Sequence, residues 1–265
     1  MDGLNRFMGC MLGGAVGDAL GFVIGKDDLK TIHKKYGPYG LRTVLKSAKN
    51  GNKSIISDDT QLSLFTADGM LWADHDGLEP TEGLYRSYMR WYYTQTERII
   101  RPEQEKWMNR QDHEVDLEYD MMGEQALFAR RSPGKTCLTA LASGKKLSRD
   151  ETLNHSSGNS TVMRAAPIGL FYEGDPEMAF FVGSQAASLT HGNPKAFLST
   201  ATISAIIASL AVGKDISTAL GGALHILQRD PEGARLLKLL LHAIDEAVTD
   251  RNPARSMKKI GDRKS

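Results

Sequence analysis

The sequence predicts an all-α protein, and three observations support that expectation. Apolar residues recur at helical spacing from the start of the chain, with Leu4, Phe7, Met8, Met11, Leu12 and Ala15 on one face. Later segments open with a capping residue followed by proline, at Asp175-Pro176, Asn193-Pro194 and Asp230-Pro231, as expected where helices begin. No stretch sustains the period-two alternation of a half-buried strand. A chain of 265 residues, 41% hydrophobic and 25% charged, can bury a sizeable core. With no linker and no internal repeat, a single domain over residues 1–265 is the economical expectation.

The elements follow in order. The first helix carries a second face of Gly9, Gly13, Gly17 and Gly21. Each glycine costs a helix about 1 kcal/mol relative to alanine, so the row predicts close approach of another backbone or of a ligand. Gly37 to Lys53 reads as a loop, and Gln61 to Trp72 as an apolar-striped helix. A further helix is expected from Thr81 to Tyr93. The stretch from Glu97 to Gly123 reads as a long acidic loop, with Glu103, Glu105, Asp112, Glu114, Asp116, Glu118 and Asp120. Its charge would favour a cationic target.

After Asp175, the expected apolar face is Met178, Phe181, Gln185 and Leu189. After Asn193, Phe197, Ile203, Ile206 and Leu210 lie in a segment of small and apolar residues, which predicts a central helix. Asp215 caps a helix through Ala219 to Leu227. After Asp230, Leu236, Leu237, Leu240, Leu241, Ile244 and Val248 give a broad apolar face.

Bulk properties narrow the function classes. A formal net charge of +1 gives no electrostatic footprint for nucleic acid or membrane. Cys10 and Cys137 match no metal or redox spacing, which fits buried thiols in a reducing compartment. The N-terminus has the wrong order for a signal peptide, and no apolar stretch reads as long enough to span a bilayer. A cytoplasmic protein is expected.

Four motifs carry candidate chemistry. Ser57-Asp58-Asp59-Thr60 places two carboxylates and two hydroxyls at a helix start. Such a set suits a hard cation such as Mg²⁺, and Ser57 or Asp58 would equally serve as a helix cap. Gly13 to Gly21 holds Asp18 beside bare backbone, either as a packing feature or to orient a ligand. Asn154 to Arg164 is a small polar loop entering an apolar helix that Pro167 would kink or restart. Its backbone N–H groups could hold a phosphate or a sugar hydroxyl, or form only a turn. Thr190-His191-Gly192-Asn193-Pro194 joins two helices, where His191 could donate to a ligand or cap a C-terminus.

Taken in order, these motifs resemble the ADP-ribosylglycohydrolase family. Gly9 through Gly21 resembles its opening glycine motif, and Ser57 to Thr60 its metal motif. Gly158, Asn159, Met163, Arg164, Pro167 and Gly169 resemble its central motif; Thr190, His191, Pro194 and Ala196 resemble the last. The resemblance implies an all-α orthogonal bundle with a binuclear Mg²⁺ or Mn²⁺ centre that cleaves the C1″ glycosidic bond of ADP-ribose conjugates. It implies Ser57, Asp58 and Asp59 as metal ligands, with Asp58 and Asp59 also steering protons. It implies Asp18, Gly158, Asn159, Ser160, Met163 and His191 as residues of the ADP-ribose site. The partner would be ADP-ribose, or a protein or small molecule carrying it.

Two departures from the family pattern qualify these expectations. Gly25 stands where the family usually carries a glutamate. The family's late D-x-D-T motif, which completes the second metal position, has no counterpart up to Ser265; Asp74-His75-Asp76 has the spacing but the wrong place. The expectation is therefore a bundle shortened at the C-terminus, with weak metal binding and apolar surface that a homodimer or partner would cover. Two alternatives accompany it. One is a non-catalytic ADP-ribose-binding protein on the same scaffold. The other is an unrelated helical metal phosphohydrolase, for which the isolated Asp112-His113 pair gives little support.

Overall fold

A computed structural model describes residues 3–48, 51–96, 121–250 and 252–260. Among these there is no strand, only an isolated antiparallel bridge between Ser47 and Lys53. The fold is all-α, as the periodicity predicts. Its helices are α1 (Gly3–Ile24), α2 (Leu29–Tyr36), α3 (Asp58–His75), α4 (Pro80–Thr96), α5 (Lys135–Ala142) and α6 (Ala165–Phe171). They continue with α7 (Pro176–Ser188), α8 (Pro194–Ala211), α9 (Ile216–Arg229), α10 (Ala234–Thr249) and α11 (Pro253–Ile260). The short α2 and α5 have no counterpart in the sequence expectation. Most of the acidic stretch, with Glu103 to Asp120 and the Asp112-His113 pair, lies outside the described residues.

The caps behave as expected at several starts. Asp175 accepts a hydrogen bond from Met178 N at 3.0 Å, Asn193 from Lys195 N at 3.0 Å, and Asp215 from Thr218 N at 3.0 Å. Pro167 falls in the first turn of α6, where a missing N–H breaks no helical bond. Asp230-Pro231 differs from expectation. Asp230 ends α9, held by Arg149 Nη1 at 2.8 Å and Nη2 at 3.1 Å, and α10 starts only at Ala234. Beside the Arg149 pairing, Asp230 Oδ1 accepts from Glu232 N at 3.0 Å, so the carboxylate caps a turn that precedes α10 and not the helix start itself.

α8 is the central helix, packed against α6, α7 and α9. Of the expected large residues Phe197 is buried, together with Ala196, Leu198, Ala201, Thr202, Ser204, Ala205 and Ala208, whereas Ile203, Ile206 and Leu210 sit at the edges. Small residues win the interior because they let backbones approach: a Cβ on Gly169 of α6 would lie 2.5 Å from Ser204 O. The same effect shifts α7, whose Ala179, Phe180, Val182, Gly183, Ala186 and Ala187 are buried while Met178 and Phe181 are exposed; Leu189, just past its end, is buried as expected. A second core holds Leu62, Phe65 and Met70 of α3 against Leu84, Tyr88 and Trp91 of α4. α10 is less buried than its pattern implies, with Leu236 inside and Leu241 and Val248 exposed.

α1 departs furthest from expectation. Its apolar face divides, with Phe7, Met11 and Ala15 half-buried and Leu4, Met8 and Leu12 exposed. Among the described residues no backbone approaches the glycine row: a Cβ on Gly9, Gly13, Gly17 or Gly21 would meet none of them within 4 Å. By length and composition, α1 and α8 are each apolar enough to cross a membrane, contrary to the sequence expectation. Much of α8 is core, and α1 is tied to the fold at both ends, by Arg6 Nη1 to Ala211 O at 2.8 Å and by Asp18 to the start of α3.

Candidate active site

α3 begins at a cluster of acids that α1 holds in place. Ser57 is the N-cap, in extended conformation, and its Oγ accepts from Asp59 N at 3.1 Å. Asp18 Oδ2 accepts from Ser57 N at 2.7 Å, Thr60 N at 3.3 Å and Thr60 Oγ1 at 2.6 Å. One carboxylate thus satisfies backbone donors that a helix start leaves open. Asp18 is thus a structural tie, and it also lines a cleft. Asp18→Ala should destabilise the protein by about 1–2 kcal/mol, the range for loss of a capping acceptor. Urea unfolding followed by circular dichroism measures this, with Asp18→Asn falling between wild type and the alanine variant.

Asp58 points the other way, toward the loop before α5. Gly134 N donates to Asp58 Oδ2 at 3.1 Å, and Asp58 N donates to Arg131 O at 3.1 Å. Arg131 Nη1 closes the turn on Ile56 O at 3.2 Å. Gly134 and Arg131 were absent from the sequence expectations; the turn signal Ser132-Pro133-Gly134 is where they could have been found. Burial pushes the Asp58 carboxyl up to about 6, the neighbouring Asp59 adding to the effect and the Gly134 N–H opposing it. Asp59 is also raised, first by partial desolvation and then by the charge of Asp18. Asp18 and Asp59 thus both raise Asp58, and Asp18 raises Asp59.

These residues line one side of a cleft of about 970 Å³. Its wall on α1 is Cys10 to Phe22, with Gly14, Gly17 and Gly21 exposing bare helix to the cavity. Of the glycine row, Gly17 and Gly21 line this cleft, whereas Gly9 and Gly13 do not. Ser57 to Thr60, Ser63 and Leu64 of α3 form the second wall, and Asn159, Ser160, Val162, Met163 and Ala166 the third. Ser63 Oγ donates to Met163 O at 2.5 Å and ties the second wall to the third. Ser63 follows Asp59 by four residues, so the helical period could have placed it on the same face.

Gly158 and His191 lie behind the third wall. His191 is 0% exposed and does not line the cleft; its Nε2 sits 3.1 Å from Ser160 Oγ. Gly158 N donates to Ser156 Oγ at 3.3 Å, and a Cβ there would press on His191 Nε2 at 3.3 Å. Asn154 joins the two motifs, with Nδ2 donating to Thr190 O at 2.9 Å and Oδ1 accepting from Gly192 N at 3.3 Å. Arg164, at the end of this polar loop, is also 0% exposed and donates to Ala186 O at 3.0 Å.

The donor set for a cation is small. At the start of α3, two carboxylates and the Ser57 hydroxyl stand together. Asp58 keeps one oxygen outside its bond to Gly134, and the destabilised charge of both acids favours a cation. Mg²⁺ retains several waters and suits such a sparse set. Among the described residues, however, no group of three or more His, Cys, Asp or Glu is placed to hold a metal ion. The binuclear Mg²⁺ or Mn²⁺ centre implied by the resemblance is therefore not assembled among them.

A family model described as ADP-ribosylglycohydrolase matches residues 1–263. No curated protein and no solved structure matches.

Proposed function

The chain belongs to the ADP-ribosylglycohydrolase family of hydrolases, and from that premise we propose that its cleft binds ADP-ribose conjugates and hydrolyses their C1″ bond at Asp58 and Asp59. One observation carries this reading. Three segments distant in sequence, on α1, α3 and the turn before α6, wall a single cleft with the acid pair among its lining residues. Asn159 and Ser160 offer polar contacts to ribose or phosphate, and Met163 an apolar one. Gly14, Gly17 and Gly21 let a ligand lie directly on the backbone of α1.

In the reaction, water adds to C1″ as the bond to the modified side chain breaks, through an oxocarbenium-like state. One proton leaves the water and one reaches the departing atom. Asp58 and Asp59 are acids of the cleft able to take and return these protons. Ser57, Asp58 and Asp59 would hold Mg²⁺. When bound it would orient the ribose hydroxyls and acidify the attacking water.

A second reading, an ADP-ribose-binding protein without turnover, is favoured by the sparse donor set. Both are tested by ADP-ribose release from ADP-ribosylated arginine, serine and small conjugates, with Mg²⁺ or with chelator. The expected result is Mg²⁺-dependent release that the Asp58→Ala, Asp59→Ala double variant loses. Binding of ADP-ribose without release would establish the second reading, and absence of both would sink the pair.

A further inference from the structure

Behind the third cleft wall runs a chain of buried polar side chains that the hydrolytic reading does not use. It starts at Arg164, whose Nη2 donates to Cys137 Sγ at 3.1 Å and whose guanidinium stacks on Tyr88 with 4.8 Å to the ring centroid. Cys137 Sγ lies 3.8 Å from Ser160 Oγ. Ser160 Oγ lies 3.1 Å from His191 Nε2, and His191 Nδ1 lies 2.8 Å from Thr190 Oγ1. Thr190 Oγ1 reaches Ala187 O at 3.4 Å. Arg164, Cys137, Thr190 and His191 are all buried, and Ser160 alone of the chain lines the cleft.

The two ends have fixed polarity. A guanidinium can only donate and a backbone carbonyl can only accept. If each hydroxyl, thiol and imidazole gives one proton onward, a single assignment links the ends. The Arg164 N–H points at the Cys137 sulfur, and the Cys137 S–H at Ser160 Oγ. The Ser160 O–H points at His191 Nε2, the His191 Nδ1–H at Thr190 Oγ1, and the Thr190 O–H at Ala187 O. We propose that this directed chain fixes Ser160 as a hydrogen-bond acceptor toward the cleft, so that Ser160 selects a ribose hydroxyl and not a phosphate oxygen. The inference rests on the cleft binding ADP-ribose.

The electrostatics agree. Burial, with the charge of Arg164 added, lowers His191 to about 4, so the imidazole is neutral and keeps one acceptor nitrogen. A donor-poor Ser160 repels phosphate oxygens, which only accept, and suits an O–H group that must donate. His191 is thus a positioning residue, acting on the ligand through Ser160.

The test has two arms. Protein labelled with ¹⁵N-histidine is examined at neutral pH by long-range ¹H–¹⁵N correlation, and the His191 signal is identified as the one that Ser160→Ala shifts. The expected state is neutral, with Nδ1 protonated and Nε2 bare. A protonated Nε2, or an imidazolium, would overturn the proposal. The second arm measures calorimetrically how wild type and Ser160→Ala bind ADP-ribose and analogues lacking one ribose hydroxyl each. Wild type should lose about fivefold in affinity with one analogue, the worth of a neutral hydrogen bond, and Ser160→Ala should not distinguish that analogue from ADP-ribose. An equal loss for Ser160→Ala across every ligand would mean contact to the common diphosphate and would reject the assignment. If ADP-ribose fails to bind, the functional reading falls, whereas the tautomer still decides the direction of the chain.

Discussion

Asp58→Asn should abolish ADP-ribose release, by at least about 100-fold as expected for loss of a proton-transferring acid, and at the same time make the metal-free protein more stable. The two effects share one cause. Asp58 is 6% exposed and faces Asp59 and Asp18, so its charge is held at a cost to the fold. The sign follows from linkage. Its carboxyl rises from 3.8 in the unfolded chain to about 6 in the folded one, so the folded state binds the proton more tightly. Stability is therefore greatest with Asp58 protonated and falls as pH climbs from about 4 to about 6. A shift of this size corresponds to about 3 kcal/mol at most. Asparagine removes the charge while its Oδ1 can still accept from Gly134 N. Melting temperatures in chelator across this pH range are the measurement. The variant should gain on wild type as pH rises, and a variant less stable than wild type at neutral pH would contradict the account. Adding Mg²⁺ should raise the wild-type midpoint and leave the variant unmoved.

Gly83→Val should leave little folded protein, and Gly83→Ala should cost about 1–3 kcal/mol, the range for overpacking a tight core. α3 and α4 cross where two glycines meet. A Cβ on Gly69 would stand 2.9 Å from both Gly83 O and Leu84 Cα, and one on Gly83 would run into Gly69 O and Ala73 Cβ. The obstacles include main-chain atoms, so relief requires the helices to part. Parting them disturbs the Leu62, Phe65, Leu84 and Tyr88 core and moves the start of α3, which carries the acids. Gly9→Ala is the matched control. Nothing lies within 4 Å of its added methyl, and it sits in a helix, so it should stabilise by up to about 1 kcal/mol. Denaturant unfolding of the three variants separates the cases; equal effects at positions 9 and 83 would show that the crossing is not tight.

Features that depend on local chemistry were legible in the sequence. Asp175, Asn193 and Asp215 cap helices because a short polar side chain before a helical run has few other roles. Ser57 to Thr60 could be placed at a helix start for the same reason, and the order of the motifs pointed to the family. Features set by partners were not legible. The interior faces of α7 and α8 are mostly alanine, serine, threonine and glycine, with Phe180, Val182, Phe197 and Leu198 among them, so the large residues Met178, Phe181, Ile203, Ile206 and Leu210 do not mark the buried side. Asp230 does accept from Glu232 N, but its pairing with Arg149, 81 residues away in sequence, is invisible to a local reading. His191 has the chemistry of a ligand-binding residue, yet only the three-dimensional structure shows Ser160 standing between it and the cleft.

The wall that α1 gives the cleft is also its least anchored part. Ala19 is its only buried residue among those described, and the bonds of Arg6 and Asp18 hold its two ends. A helix so lightly embedded releases at lower free energy than the core. Docking of α1 and occupancy of the cleft are then linked equilibria. A ligand touching both the glycine face and the opposite wall binds only the docked form, and part of its binding energy goes into keeping α1 in place.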